Sequence, residues 1–319
     1  MKLGVFTAIL DHQPLETALD YLQSLGVQAV ELGCGGTAGH SHANPEILLN
    51  DADALREFQR TIDRHHMEIS ALSCHGNPVH PNPETARAYD KTIRDTILLA
   101  QRLGLRRINT FSGCPGSDPD AHYPNWVTCP WPEDFQEVLD YQWNQVLIPY
   151  WRETAAFAAE HGVTQIALEM HPGFCVYHTE SLLRLRGAVG EQIGANLDPS
   201  HLIWQGMDPI AVIRALKGAI FHFHAKDTKI DPYNTAVNGV LDTKPYREQE
   251  MRSWNFRSVG YSNGLLYWKD MISNLRMAGY DHVISVEHED GLMSRSEGLA
   301  KACGFLKDII IQEKVGITQ

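Results

Sequence analysis

The sequence predicts a (β/α)8 TIM barrel running through residues 1–319 as one domain, and three observations carry that prediction. Eight short apolar runs alternate with eight longer amphipathic runs, at about 40 residues per unit. Most of the short runs are nearly continuous in apolar residues, as parallel strands covered on both faces should be. No GxGxxG or P-loop pattern follows any of them, which argues against an open doubly wound sheet built to hold a nucleotide.

The elements follow in order. A first strand at 2–8 (KLGVFTA) leads to a helix at 15–25, and a second at 28–32 (QAVEL) to a helix at 52–66. Strands at 68–74 (EISALSC) and 106–112 (RRINTFS) precede helices at 83–103 and 134–162. Strands at 164–170 (TQIALEM) and 193–198 (IGANLD) precede helices at 179–189 and 208–217. The last pair, 220–226 (IFHFHAK) and 282–288 (HVISVEH), precede helices at 265–278 and 295–311. Gly26, Gly162 and Gly279 stand where three helices should stop, and Thr179 and Ser294 or Ser296 are suited to N-caps. Two segments exceed the minimal unit, 113–133 and 227–264, and both follow strand C-termini, where barrels build their sites.

Composition narrows the function. Hydrophobic residues at 43% and charged residues at 21% supply a large core, so disordered and disulfide-scaffold classes fall away. The 27 Lys and Arg stand against 39 Asp and Glu, a formal charge of −12, which disfavours a nucleic-acid partner. No apolar stretch approaches the roughly 18 residues of a membrane span. The opening MKLGVFTAILDHQP reads as a strand rather than a secretory signal, and six cysteines without CxxC spacing fit reduced thiols in the cytoplasm.

Polar residues collect at the same end of the strands: Glu31, His75, Ser112, Glu169, Asp198, His224 and Glu287. An inward-pointing charge is expensive in a packed barrel unless it is used. Three carboxylates converging on one point could not all stay ionised, because each raises the pKa of the others. A divalent cation removes the conflict, and an oxygen-rich set with one imidazole and no thiolate suits Mn2+, Mg2+ or Co2+. The competing reading pairs these acids with Lys226, Arg257 or Lys229 as structural ion pairs.

The runs ALEMHPG (167–173), NLDPSH (196–201), HFHAKD (222–227) and SVEHED (285–290), with SCHGNPVHP (73–81), resemble the sugar isomerase/epimerase family with xylose-isomerase-like barrels. The resemblance covers essentially the whole chain. It implies one divalent metal ion held by Glu169, Asp198, His224 and Glu287. His222 and His224 are two apart in a strand and share a face, so either is a candidate; His224 is nearer the mouth. The resemblance also implies an isomerase or epimerase acting on a keto-sugar or related carbohydrate through a cis-enediolate, with Glu169 and Glu287 as the acid/base pair.

Around them His201, Arg257, His75, Lys226, Trp126 and Glu31 are expected to line the site and bind substrate, with Trp131 and Trp254 as further stacking candidates. Glu289, Asp290 and His288 are expected to point partly away from the mouth. No Gly-rich phosphate cradle follows the last two strands, which favours a neutral or oxidised sugar over a sugar phosphate. A lyase or dehydratase acting by β-elimination on a 3-keto-glycoside or keto-inositol shares the first step and is the alternative. An abasic-site endonuclease-like barrel and a non-catalytic sugar binder rank below it. Association into a homo-oligomer is compatible with the long loops.

Overall fold

In the computed structural model, which describes residues 1–313, eight parallel strands close into a barrel. The strands are β1 (Lys2–Phe6), β2 (Ala29–Gly33), β3 (Glu68–Ser73), β4 (Arg107–Thr110), β5 (Gln165–Glu169), β6 (Ile193–Leu197), β7 (Ile220–Ala225) and β10 (Val283–Val286). Their spatial order follows the chain, and β10 closes on β1 in a parallel register that pairs Leu3 with Ile284. Outward-facing strand side chains such as Leu3, Leu72, Ile166 and Phe223 belong to the buried core around the barrel, all essentially inaccessible. The expected eight strands are therefore present. Residues 314–319, included in the one-domain expectation, lie outside the described residues.

The ladders are shorter than the apolar runs. Residues 111–112 and 287–288, expected in strands, leave the barrel to form the mouth. Helices α1 (Leu15–Ser24), α2 (Pro45–Asn50), α3 (Ala52–Arg64) and α4 (Pro83–Arg102) follow the first three strands. The expected 134–162 helix is realised as α5 (Asp134–Asp140), a π-helical stretch Tyr141–Leu147 and α6 (Ile148–Glu160). Pro149 explains the widening: it has no N–H to return one turn and its ring crowds the preceding carbonyl. Within that stretch the buried Gln142 donates to the carbonyls of Asn125 (2.6 Å), Pro115 and Gly116, pinning the 113–133 loop.

Next come α7 (Thr179–Val189), α8 (Pro199–Trp204) and α9 (Pro209–Ala215), then α11 (Leu265–Met277) and α12 (Arg295–Lys307), which stops short of the expected 311. Gly26, Gly162 and Gly279 take positive φ just beyond α1, α6 and α11, as expected. Ser294 caps α12 through Glu297 N (3.2 Å). Thr179 does not cap α7; His178 does, in a reciprocal pair with Ser181, so Thr179 is the first helical residue.

The 227–264 segment is not structureless. It holds an antiparallel pair, β8 (Asp227–Ile230) with β9 (Trp254–Arg257), and α10 (Pro232–Asn238). Asp227 gathers the segment's return, accepting from the backbone of Asn263 (3.0 Å), Gly260 and Ser262 and from the Trp268 indole (3.4 Å). Trp204, Trp254 and Phe256 form a small separate core beneath it. Among the described residues no helix is long and apolar enough to cross a membrane.

Candidate metal centre and active site

Successive strand residues alternate in direction, so His222 and His224 both point into the barrel, one layer apart. The lower one is satisfied. His222 Nδ1 faces Asn196 Oδ1 and its Nε2 faces Ser70 Oγ, each at 3.1 Å, and burial keeps the ring neutral. The upper one is divided between two carboxylate layers. His224 Nε2 lies 2.9 Å from Glu31 Oε1, while Nδ1 lies 3.1 Å from Glu287 Oε2 and 3.5 Å from Glu169 Oε2.

Glu31, expected as a substrate contact, is a floor residue instead. It is fully buried under His224 and accepts from Ser73 Oγ (2.6 Å), Ser285 Oγ (2.8 Å) and Asn109 Nδ2 (2.9 Å). Burial alone would raise its pKa, but the two histidines and these donors hold it well below the usual carboxylate range.

Asp198 is fixed by the turn that follows β6. It caps α8, with Oδ1 accepting from Ser200 N at 2.8 Å, and Pro199 at the next position presets the helical φ. Its other oxygen, Oδ2, is buried without a well-aligned hydrogen bond and faces Lys226 Nζ at 3.0 Å and His201 Nε2 at 3.4 Å. His201 sits on the first turn of α8, three residues on, and also reaches Glu169 Oε1 at 3.2 Å. Burial drives His201 down to about 3, so it stands neutral beside these acids.

The four ligand atoms of Glu169, Asp198, His224 and Glu287 lie within 4.8 Å of one another. Lys226, the one lysine here, touches Glu287 Oε2 (2.7 Å), Asp198 Oδ2 and Glu289 Oε2 (3.0 Å). The ion-pair reading of the sequence is thus realised in part, through Lys226. It does not balance the site. Burial raises Asp198 to about 7, with Glu287 and Glu169 adding to the rise against the pull of Lys226. Against burial, Glu287 is held down to about 2 by Lys226 and His224, and Glu169 well below its usual value by His201 and His75. At Asp198 burial and the neighbouring carboxylates outweigh Lys226, although its Nζ lies 3.0 Å from Oδ2. Three carboxylates, one imidazole and an Asp198 oxygen buried without a well-aligned hydrogen bond fit the divalent cation that the resemblance implies.

Above the cluster opens a cavity of about 620 Å³. His75 lines it and sets Nε2 3.0 Å from Glu169 Oε2. Its loop is held close by Gly36, whose positive φ brings the chain so near the His75 carbonyl that a Cβ would clash. Lys226, Glu169 and Glu287 also reach the cavity, as does Arg257, whose guanidinium donates to Gln249 Oε1 (2.9 Å) and faces Asp290 (3.5 Å). Trp126 does not. Its ring packs edge-on to Tyr177 at 5.3 Å and faces a separate cavity beside α5 and α7. Trp254 stacks on Trp204 at 4.5 Å, and Trp131 projects into solvent. Ser112 binds Val176 N rather than facing the mouth.

Sequence reasoning missed several lining residues. Phe111, His171, Phe174, Tyr246 and Phe256 form aromatic walls, and Glu289 turns toward the site through Lys226 instead of away from it. Phe111 was hidden at the end of an apolar strand run. The W-N-F-R alternation of β9 was the one signal for Phe256.

Comparisons with known proteins agree with this architecture. Residues 19–309 match the family model described as xylose isomerase-like TIM barrel. Uncharacterized protein YfiH of Bacillus subtilis is 40% identical over 314 residues, 98% of this chain and 100% of that one. Inosose dehydratase of Geobacillus thermodenitrificans is 25% identical over 170 residues, 52% of this chain and 54% of its own. Among solved structures, the probable 3-DHS dehydratase AsbF from Bacillus anthracis superposes with a TM-score of 0.66 at 18% identity, covering 96% of this chain and 99% of that one. A D-tagatose 3-epimerase-like protein (TM-score 0.63) and the IolI protein with a binding zinc atom (0.65) are each 20% identical, covering 97% of this chain and 98% of theirs. These structural likenesses speak to the fold. On the family match and the full-length relative, the chain belongs to the xylose isomerase-like TIM barrel family.

Proposed function

We propose that the protein is a divalent-metal-dependent isomerase or epimerase that moves a proton next to the carbonyl of a keto-sugar or related small carbohydrate. The observation that carries this reading is the approach of two carboxylates, Glu169 and Glu287, to the same imidazole nitrogen of His224 at the cavity floor. A manganese, magnesium or cobalt ion held by Glu169, Asp198, His224 and Glu287 would supply Lewis-acid polarisation of the substrate carbonyl.

The chain's own residues do the rest. His75 and His201 fix the Glu169 carboxylate and keep it ionised, which leaves it ready to take a proton from the carbon beside the carbonyl. Glu287, ionised at rest beside Lys226, is the second proton carrier: once it has taken a proton from solvent in the cavity, it delivers that proton to the carbon from another direction and so inverts the centre or shifts the carbonyl. Lys226 and Arg257, both lining the cavity, offer N–H donors to substrate oxygens. The test is deuterium uptake from D2O into a ketose by the metal-loaded protein, repeated with Glu169→Gln and Glu287→Gln.

A second reading has support of its own. A relative and a structural neighbour carry the names inosose dehydratase and 3-DHS dehydratase. Removal of the same proton sets up β-elimination: the C–H pair forms the new double bond as the β C–O bond breaks, and the leaving oxygen takes a proton from a carboxylic acid. Release of water or an alcohol, against a rearranged sugar, separates the two.

A further inference from the structure

We infer that the cavity takes a keto-glycoside, a keto-sugar whose anomeric oxygen carries a second, flat and weakly polar ring, and that this ring lies against Phe111 and Phe174. The inference rests on the proposed function for the sugar half and assigns the other half. Size is the first argument. Granting each of the twelve heavy atoms of a hexose a whole water's share of liquid volume, about 30 Å³, the sugar fills at most about 360 Å³. The cavity holds about 620 Å³.

The chemistry of the unfilled part is the second. Phe111 and Phe174 stack with centroids 4.3 Å apart and planes 18° apart, and His171 meets both edge-on at 5.2 and 5.7 Å. All three are only half-buried and line the cavity, so apolar ring surface faces an interior space with no protein group covering it. An aromatic guest would take that surface out of water at the separations ring pairs prefer. A second sugar would need hydrogen-bond partners there, and His171 Nδ1 is already engaged with the Pro172 carbonyl at 2.5 Å. The polar side chains Asn255, Arg257 and Gln249 line the cavity with Phe256, over whose ring Lys226 Nζ sits at 4.7 Å.

Position is the third. His75 packs against Phe111 at 4.6 Å and touches Glu169 at 3.0 Å, so the aromatic wall begins one side chain from the reacting carboxylate. A ring placed there is within reach of a direct glycosidic link to the reacting sugar.

The experiment compares methyl and phenyl 3-keto-β-D-glucoside with the metal-loaded protein, reading kcat/KM for deuterium uptake or product release. The expected result is a preference of at least tenfold for the phenyl compound, falling toward unity in Phe174→Ala and in the milder Phe174→Leu. Equal rates for the two glucosides, or a preference that survives both substitutions, would overturn the inference and leave the proton chemistry standing. No exchange or release with either compound, alongside exchange into free ketoses, would also overturn it. No exchange into any of them would reject the proposed function itself.

Discussion

His224 stands directly on Glu31: its Nε2 lies 2.9 Å from one carboxylate oxygen and 3.0 Å from the other, in a layer closed to solvent. That contact decides which nitrogen faces the site. With Nε2–H donated downward, Nδ1 is the atom left to bind a metal beside Glu169 and Glu287. On the proposed function, Glu31 acts as a positioning residue behind His224. Glu31→Gln should lower metal affinity by about 10–100-fold, the usual effect of losing a carboxylate behind a ligating histidine. Titration with a competing chelator measures it, and an unchanged affinity would remove Glu31 from the metal site.

Lys226 is buried among Asp198, Glu287 and Glu289. Removing one member of a buried charge cluster strands the others, at a cost of about 3–5 kcal/mol. Lys226→Met should destabilise the metal-free protein by that order and bind a divalent ion more tightly, because a cation competing for the same oxygens is gone. Saturating metal should restore much of the lost stability. Denaturant unfolding with and without metal reads both effects, and a loss under about 1 kcal/mol without metal would show that Lys226 does not balance these acids.

Metal uptake should depend on pH with a definite sign. Asp198 keeps its proton in the metal-free protein up to about pH 7, whereas its ordinary value is 3.8. Between those values the native state binds the extra proton, so this group's contribution to stability falls as pH rises. A bound cation needs the ionised form, and His224, whose pKa the facing Glu31 and Glu287 push up against burial, must also release a proton. Apparent affinity should fall at least about tenfold per unit as pH drops below 7. Calorimetric titrations at pH 5.5, 6.5 and 7.5 test it; a flat profile would contradict the reading of Asp198.

Asp198 has two separable duties, since Oδ1 caps α8 and Oδ2 faces the cluster. Asp198→Asn keeps a capping oxygen, so it should cost little fold stability while metal content drops sharply. Elemental analysis of the purified variant beside its melting curve checks this. Wild-type metal content would remove Asp198 from the ligand set.

Much of the barrel was legible because its strands are apolar runs that only a doubly covered parallel sheet accommodates: IALE, IGANL and VISV give one answer under that rule. The polar residues closing those runs marked the site for the opposite reason, since charge at such positions is costly unless used. What escaped has physical causes too. β8 and β9 are four residues each; DTKI holds one apolar residue and WNFR alternates over too short a run to stand out. Glu31 was visible as a strand-end acid, but its depth depends on where the ladder stops. Trp126 looked like a sugar platform because a loop indole carries no record of which cavity it will face. Phe174 gained its role only from Phe111, which follows a different strand, β4, 63 residues earlier.

Glu169 and Glu287 are proposed to move a proton over a metal held at the cavity floor. The most direct test measures metal content of the purified protein together with deuterium uptake from D2O into a panel of ketoses and 3-keto-glucosides. The expected result is about one divalent ion per chain, deuterium beside the carbonyl, and a loss of about 10²-fold or more in uptake for Glu169→Gln and for Glu287→Gln. Wild-type uptake in either variant, or uptake undiminished after the metal is stripped, would contradict it.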